Sequence, residues 1–313
     1  EEPNTLREAQ VSPPEWPQWQ GALKRDMDGQ LSRGVWETVE RPEGKTVLGT
    51  RIVFKRKVGK DGQVEKYKCR FVAQGFRQIK GLHFQESSLP TPAQSSIRMA
   101  LALMSLADWE GRLLDVEMAY LEADVEEELY IELPDGYSES RNQVGRLQKD
   151  VYGLVHAGVL WPKKFGGELE VKGFEISQAD PCMFRKRSQG KLVVIIVVYV
   201  DDVLLLSATK KDEQQALEDL RSSFPIKVLG EVSYYLGCHI TRDRKARTVA
   251  FDKRRFAQTV VEGFDTKKTS IIPASPGVAP LSKGDGLQTD AEISEMRDTP
   301  YREAVGALMP IPP

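Results

Sequence analysis

Four residues, Tyr199-Val200-Asp201-Asp202, break the most apolar run of this sequence, and the break carries two carboxylates. Leu192 to Val198 reads Leu-Val-Val-Ile-Ile-Val-Val, and Val203 to Leu206 reads Val-Leu-Leu-Leu. Two such runs around a short polar pair predict a tight hairpin with acids at its tip. Asp is also an ordinary turn residue, so the pair alone defines no chemistry. A third acid, Asp115, adds to it: it lies in another strand-like segment, Arg112-Leu-Leu-Asp-Val-Glu-Met-Ala-Tyr-Leu121. Three carboxylates on neighbouring strands repel one another unless divalent cations hold them together. Such a group is the protein half of a two-metal phosphoryl-transfer site.

The elements around these acids must supply a core and a grip on phosphate. With 313 residues and 40% hydrophobic content the chain can bury a core in two or three subdomains. No run approaches the ~18 apolar residues of a membrane span, so no membrane partner is expected. The opening Glu1-Glu-Pro-Asn-Thr resembles no secretory signal and reads as an internal start within a longer polyprotein. Cys69, Cys182 and Cys238 are far apart with no CxxC pair, against a disulfide framework or zinc site. His83, His156 and His239 are equally scattered.

The net charge of −2 hides a segregation. Arg51 to Lys80 carries ten bases against Asp61 and Glu65, a net +8; Asp108 to Glu139 carries twelve acids against Arg112, a net −11. Arg242 to Arg255 has seven bases against Asp243 and Asp252, a net +5. Basic segments around an acidic middle fit a protein that grips phosphates at its rims and metals at its centre, although any one block alone reads as a solvated face.

Along the chain, residues 1–20 are rich in Pro and Trp and read as a docking segment without regular structure. A helix is expected over Trp19–Arg33, stopped by Gly34, then strands over Val35–Val39 and Thr50–Lys57, a turn at Gly59–Gly62, and a strand over Val64–Phe76. Ser96 to Trp109 has helical periodicity with Ser96 as its cap. Leu147 to Glu170 reads as mostly helical after a Tyr152-Gly153 turn, Asp212–Phe224 as an amphipathic helix, Val232–Ile240 as a strand and Lys253–Phe264 as a helix. A Pro/Gly/Ser-rich stretch, Ile272–Gly286, precedes a last helix from Tyr301 that stops in Pro-Ile-Pro-Pro. No internal repeat is present.

Read in this order, the residues resemble the reverse transcriptase of copia-type retrotransposons, which are long-terminal-repeat elements. Val35-Trp36-Glu37 with Arg41-Pro42 is similar to the family's opening strand, and Lys66-Tyr-Lys-Cys-Arg-Phe-Val-Ala-Gln-Gly-Phe-Arg-Gln78 to its fingers signature. Leu114-Asp-Val-Glu-Met-Ala-Tyr-Leu121, Glu128-Leu-Tyr130 and Leu133-Pro134 resemble its first palm motif, and Tyr199-Val-Asp-Asp202 its catalytic hairpin. Leu229-Gly230, Tyr235-Leu-Gly237 and Pro300 to Met309 resemble its thumb-proximal elements.

The resemblance implies an α+β right-hand polymerase whose antiparallel palm sheet carries the acids. Fingers would come from 1–90 and 123–160, palm from 91–122 and 161–240, and a partial thumb from 241–313, truncated before any RNase H domain. It implies an RNA-directed DNA polymerase that transfers dNMP to a primer 3′-hydroxyl using two Mg²⁺ ions, with Mn²⁺ as a substitute. Asp115 and Asp201 would bind both metals, with Asp202 in support. The backbone of Val116 and Glu117 would face the triphosphate, Lys68 and Arg70 would clamp it, and Tyr120 would exclude a 2′-hydroxyl, against the alternative of a core aromatic. Tyr235, Leu236 and Gly237 would form the strand that holds the primer end, and Lys227 is either a general acid or a solvated lysine. The implied partners are an RNA or DNA template with primer, dNTP, and the integrase and RNase H parts of a polyprotein. The implied location is cytoplasmic, in a virus-like-particle context, or nuclear.

One segment departs from the family. Leu154-Val-His-Ala-Gly-Val-Leu-Trp-Pro162 stands where a Leu-Lys-Gln-Ala-Pro-Arg-x-Trp-Tyr-like run is usual, so His156 replaces the nucleotide-positioning Gln and Val159 the Arg. Leu89-Pro-Thr-Pro92 also lacks the usual aromatic. These changes motivate an alternative, a catalytically weak or inactive remnant that still binds nucleic acid. A nucleotidyl cyclase on a similar sheet is a third reading, disfavoured by the Lys66–Gln78 signature.

Overall fold

The apolar runs at 191–207 become the centre of a six-stranded antiparallel sheet. A computed structural model describes residues 2–11, 14–59, 63–134, 136–138, 140, 142–264, 286, 289–297 and 299–308. Residues 60–62 of the expected turn, most of the Ile272–Gly286 stretch and the terminal Pro-Ile-Pro-Pro lie outside them. The chain divides into two compact units, Glu1–Val232 with Arg244–Thr248, and Ser233–Asp243 with Val249–Pro313.

The first unit runs α1 (Leu6–Gln10), α2 (Trp16–Ser32), β1 (Trp36–Glu40), β2 (Val47–Leu48), β3 (Thr50–Val58), β4 (Val64–Ala73), α3 (Gln94–Leu106), β5 (Glu110–Val116), β6 (Tyr130–Ile131) and β7 (Gln143–Leu147). It continues through α4 (Ala157–Val171), β8 (Glu175–Ile176), β9 (Met183–Ser188), β10 (Lys191–Tyr199), β11 (Asp202–Ser207), α5 (Lys210–Arg221) and β12 (Ile226–Glu231). The central sheet has the order β12-β5-β11-β10-β9-β8. One of its faces packs on α4 and α5 through Leu114, Val116, Ile196, Val198, Val203, Leu205, Trp161, Phe165 and Leu220, all buried. Such paired burial is what holds a sheet in one register. A four-stranded sheet, β1-β7-β6-β2, and a two-stranded arm, β3-β4, complete the unit. This is the expected α+β architecture with an antiparallel sheet beneath the acids.

The second unit contains β13 (Tyr234–Tyr235), β14 (Cys238–Asp243), β15 (Thr248–Asp252, from Val249 onward), α6 (Arg254–Gly263), α7 (Asp290–Met296) and α8 (Tyr301–Leu308). α7 opens with a capping box, the Thr289 hydroxyl accepting from Glu292 N and the Glu292 carboxylate from Thr289 N.

Four expectations need correction. Residues 1–20 are not without regular structure: Thr5 caps α1, and α2 begins at Trp16 because Pro17 falls in its first turn, where its missing N–H costs nothing. Ser96 is not a cap, since α3 starts two residues earlier after Ala93. Leu147–Glu170 is helical only from Ala157; the stretch before it holds buried Asp150 and the Tyr152-Gly153 turn. Val232–Ile240 is no single strand. Leu236 (φ 48°) and Gly237 (φ 78°) form a two-residue turn between the paired Tyr235 and Cys238.

Candidate active site

The acids are placed by strand register. Asp202, the first residue of β11, pairs with Asp115 of β5, and on the other side of β5 Asp115 pairs with Lys227 of β12. Tyr199 pairs with Asp202, leaving Val200 and Asp201 as a two-residue turn. Val200 has a φ of 59°, rare for a β-branched residue. Neighbouring elements tie down the carbonyls of both turn residues. The indole Nε1 of fully buried Trp161 donates to Val200 O at 2.7 Å, and Val116 N donates to Asp201 O at 2.9 Å.

In front of the turn lies an open cleft of ≈ 320 Å³ whose walls include Asp115, Asp201, Lys66, Lys68, Arg70 and Tyr152. β4 brings Lys68 and Arg70 to it as residues i and i+2, on one face of the strand. The strand is fixed by α2: buried Asp26 accepts from Phe71 N at 2.8 Å and from Gln30 Nε2 at 2.9 Å. Burial raises the Asp26 pKa against the lowering by these two bonds. The Arg70 guanidinium lies 4.4 Å from the Tyr152 ring centroid, and Tyr152 meets Tyr120 edge-on at 5.5 Å. Gly153 makes this stacking possible. Its φ is 93°, and a Cβ there would come within 2.2 Å of Ala73 O, while Ala73 N donates to Tyr152 O at 2.8 Å.

The electrostatics are those of crowded anions facing cations. Burial, then the Asp201 charge, raises the Asp115 pKa. Burial followed by Asp201 and Asp115 pushes Asp202 up to about 6. Lys68 is shifted down by burial and by Arg70 and Lys57, with Asp201 and Asp115 opposing. Among the described residues no group of three or more His, Cys, Asp or Glu side chains is arranged to hold a metal by itself. Two converging carboxylates nevertheless suit Mg²⁺, which is bound through one or two carboxylates and completes its shell with water and substrate phosphate.

The structure therefore gathers Asp115, Asp201, Lys68, Arg70, Val116 and Glu117 at one cleft, with Asp202 adjoining. Val116 N and Glu117 N are engaged within the protein, donating to Asp201 O and Pro225 O. Tyr120 is not in a strand but in a short 3₁₀ turn, Ala119–Glu122, half-buried against Tyr152. His156 is not brought to the cleft. It is buried at the start of α4, its Nδ1 3.2 Å from Gln78 Nε2 and its Nε2 4.0 Å from Glu127 Oε2, and burial lowers its pKa. Tyr235, Leu236 and Gly237 belong to the second unit. Of the basic block 242–255, Arg244 is paired with Asp108 at 2.8 Å and Glu110 at 3.1 Å. Residues not foreseen at the cleft are Asp26, Arg25, Arg33 (paired with Glu122 at 2.7 Å) and Tyr152. Only Tyr152 carried a signal, the Gly that follows it.

An antiparallel sheet thus presents two acids to a cation-lined cleft in an α+β fold. The family described as reverse transcriptase (RNA-dependent DNA polymerase) matches residues 33–276, and the chain belongs to that family. It is 34% identical over 311 residues to the retrovirus-related Pol polyprotein from transposon TNT 1-94 of Nicotiana tabacum, covering 98% of this chain and 23% of that one. It is 29% identical over 293 residues to the corresponding polyprotein from transposon RE1 of Arabidopsis thaliana, covering 93% of this chain and 19% of that one. The resemblance to copia-type elements is thus borne out, and the chain spans about a fifth of the length of these relatives. Among solved structures, a foamy viral protease–reverse transcriptase in complex with double-stranded DNA aligns with a TM-score of 0.42 and 15% identity, over 81% of this chain and 37% of that one.

Proposed function

We propose that this chain extends a primer on an RNA or DNA template by two-metal transfer of dNMP, as the polymerase part of a retrotransposon polyprotein. The observation that carries this reading is the convergence of Asp115 and Asp201 with Lys68 and Arg70 on one cleft. The central sheet would be the palm and the β3–β4 arm part of the fingers. Asp115 and Asp201 would hold Mg²⁺, which when bound lowers the pKa of the primer hydroxyl and neutralises the leaving pyrophosphate. Lys68 and Arg70 supply the positive charge that a triphosphate needs, and the stacked Tyr152 orients Arg70 toward it. Tyr120, packed against Tyr152, stands as the gate against a 2′-hydroxyl. Tyr235, Leu236 and Gly237 would contact the primer end as a hairpin. The cell compartment would be cytoplasmic, in a virus-like-particle context, or nuclear.

One observation favours a second reading, a binding remnant with weak chemistry: the side chain at the position of the family's nucleotide-positioning Gln, His156, faces Gln78 and Glu127. Primer extension on an annealed RNA template with dNTPs in Mg²⁺, beside Asp201→Asn, separates the two. Extension lost in Asp201→Asn, with primer–template affinity kept, supports the polymerase. Salt-sensitive binding by the parent chain without extension supports the remnant.

A further inference from the structure

We infer that Trp161 is a positioning residue for Asp201, acting through the carbonyl of Val200. The inference rests on the proposed reading for what Asp201 binds, but not for where Asp201 sits. The turn between Tyr199 and Asp202 has φ positive at Val200 and not at Asp201, the pattern of a type II′ turn. Type II′ strongly prefers Gly at its first central position, and Val is among the residues least suited to it. The competing type I′ turn differs mainly by a flip of the central peptide, Val200 C=O to Asp201 N–H, and needs positive φ at Asp201, which Asp tolerates. A side chain that bonds the Val200 carbonyl decides between the two.

Trp161 makes that bond at 2.7 Å. The donor has little freedom to wander, because the indole is fully buried and meets Phe165 and Phe224 at 5.2 Å each. Beside the bond lies a small apolar space lined by Pro90, Cys182, Phe184 and Val198 among others. An unbonded carbonyl there would find little but hydrocarbon, so losing the indole N–H favours turning the carbonyl away. The far side of Asp201 is held separately, by Val116 N on Asp201 O. Between these two bonds the Asp201 carboxylate has one direction, toward the cleft it shares with Asp115. A flipped peptide would swing φ of Asp201 from negative to positive and take the carboxylate with it.

The test replaces one atom group. Trp161 is exchanged for 3-benzothienylalanine, in which sulfur stands for the N–H and the ring volume is kept, with Trp161→Phe alongside. The readouts are the melting temperature, the Asp201 amide resonance, the affinity for Mn²⁺ alone, and single-turnover extension with its dNTP dependence. The benzothienyl chain is expected to melt near the parent, to shift the Asp201 resonance, and to lose Mn²⁺ affinity by about 10–100-fold, as when outer partners of metal ligands are removed. The maximal extension rate should fall on the order of 10²-fold, with half-saturation by dNTP little changed. An unmoved Asp201 resonance with unchanged Mn²⁺ affinity in a folded chain overturns the inference. A parent chain that neither binds Mn²⁺ nor extends refutes the proposed function instead, and the Asp201 resonance still decides the role of Trp161.

Discussion

Asp150 has no solvent exposure, and among the described residues its carboxylate Oδ2 has no hydrogen-bond partner; Oδ1 accepts from Val151 N at 2.8 Å. Burial, reinforced by Glu127, pushes its pKa up to about 8. In the unfolded chain it returns to the ordinary value near 4. Between these values the folded state binds one more proton than the unfolded state. Stability is therefore greatest at low pH and falls by ~1.4 kcal/mol per unit as pH rises toward 8, where the loss is complete. From pH 5 to pH 8 this amounts to ~4 kcal/mol. Asp150→Asn keeps the acceptor for Val151 N and carries no charge, so its stability does not follow this titration. The variant should thus melt higher than the parent at pH 8, and the gap should narrow toward pH 5. At about 2–4 °C per kcal/mol for a unit of this size, the gap should change by on the order of 10 °C. Thermal unfolding followed by circular dichroism at pH 5, 6, 7, 8 and 9 measures it. Melting curves of parent and variant that run parallel with pH would refute a neutral, buried Asp150.

Tyr152→Leu removes the surface on which Arg70 rests, and dNTP binding should weaken roughly 2- to 30-fold at unchanged maximal rate; equal half-saturation constants for both chains would count against the stack. Gly153→Ala forces a Cβ against Ala73 O at a φ of 93°, so it should lower the melting temperature by more than the ~1–2 kcal/mol of left-handed strain alone, and a variant as stable as the parent would contradict the close approach. Tyr120→Ala should admit ribonucleotides in the extension assay, whereas an unchanged preference for dNTP returns Tyr120 to the role of a packing residue.

The acid-tipped hairpin was legible because Val193–Val198 is a continuous β-branched run and a second short apolar run, Val203–Leu206, follows the polar pair. The placement of β5 beside it was read from a third acid, Asp115, in another strand-like segment. Asp26 gave no such signal: mid-helix acids usually face water, and only the docking of β4 turns this one into an acceptor for Phe71 N. His156 misled, because a motif position says which element carries a side chain and not which way that element presents it. The Tyr235 segment misled because Leu236 adopts positive φ without being Gly or Asn. Trp161 was visible only as part of a motif; its bond to Val200 depends on a helix and a hairpin 39 residues apart meeting in space.

The register that places Asp202 opposite Asp115 also limits how these strands can change over time. Leu114 and Val116 flank Asp115 and are buried, so inserting or deleting one residue within Glu110–Val116 would turn the acid into the core and bring a leucine or valine to the cleft. Such a lesion cannot be absorbed locally, as it could be in the connection between β9 and β10. Lineages of this chain should therefore drift by exchange of side chains while the lengths of β5 and β11 stay fixed. Length variation should collect in the loops, and a copy with a one-residue gap in either strand should be a dead one.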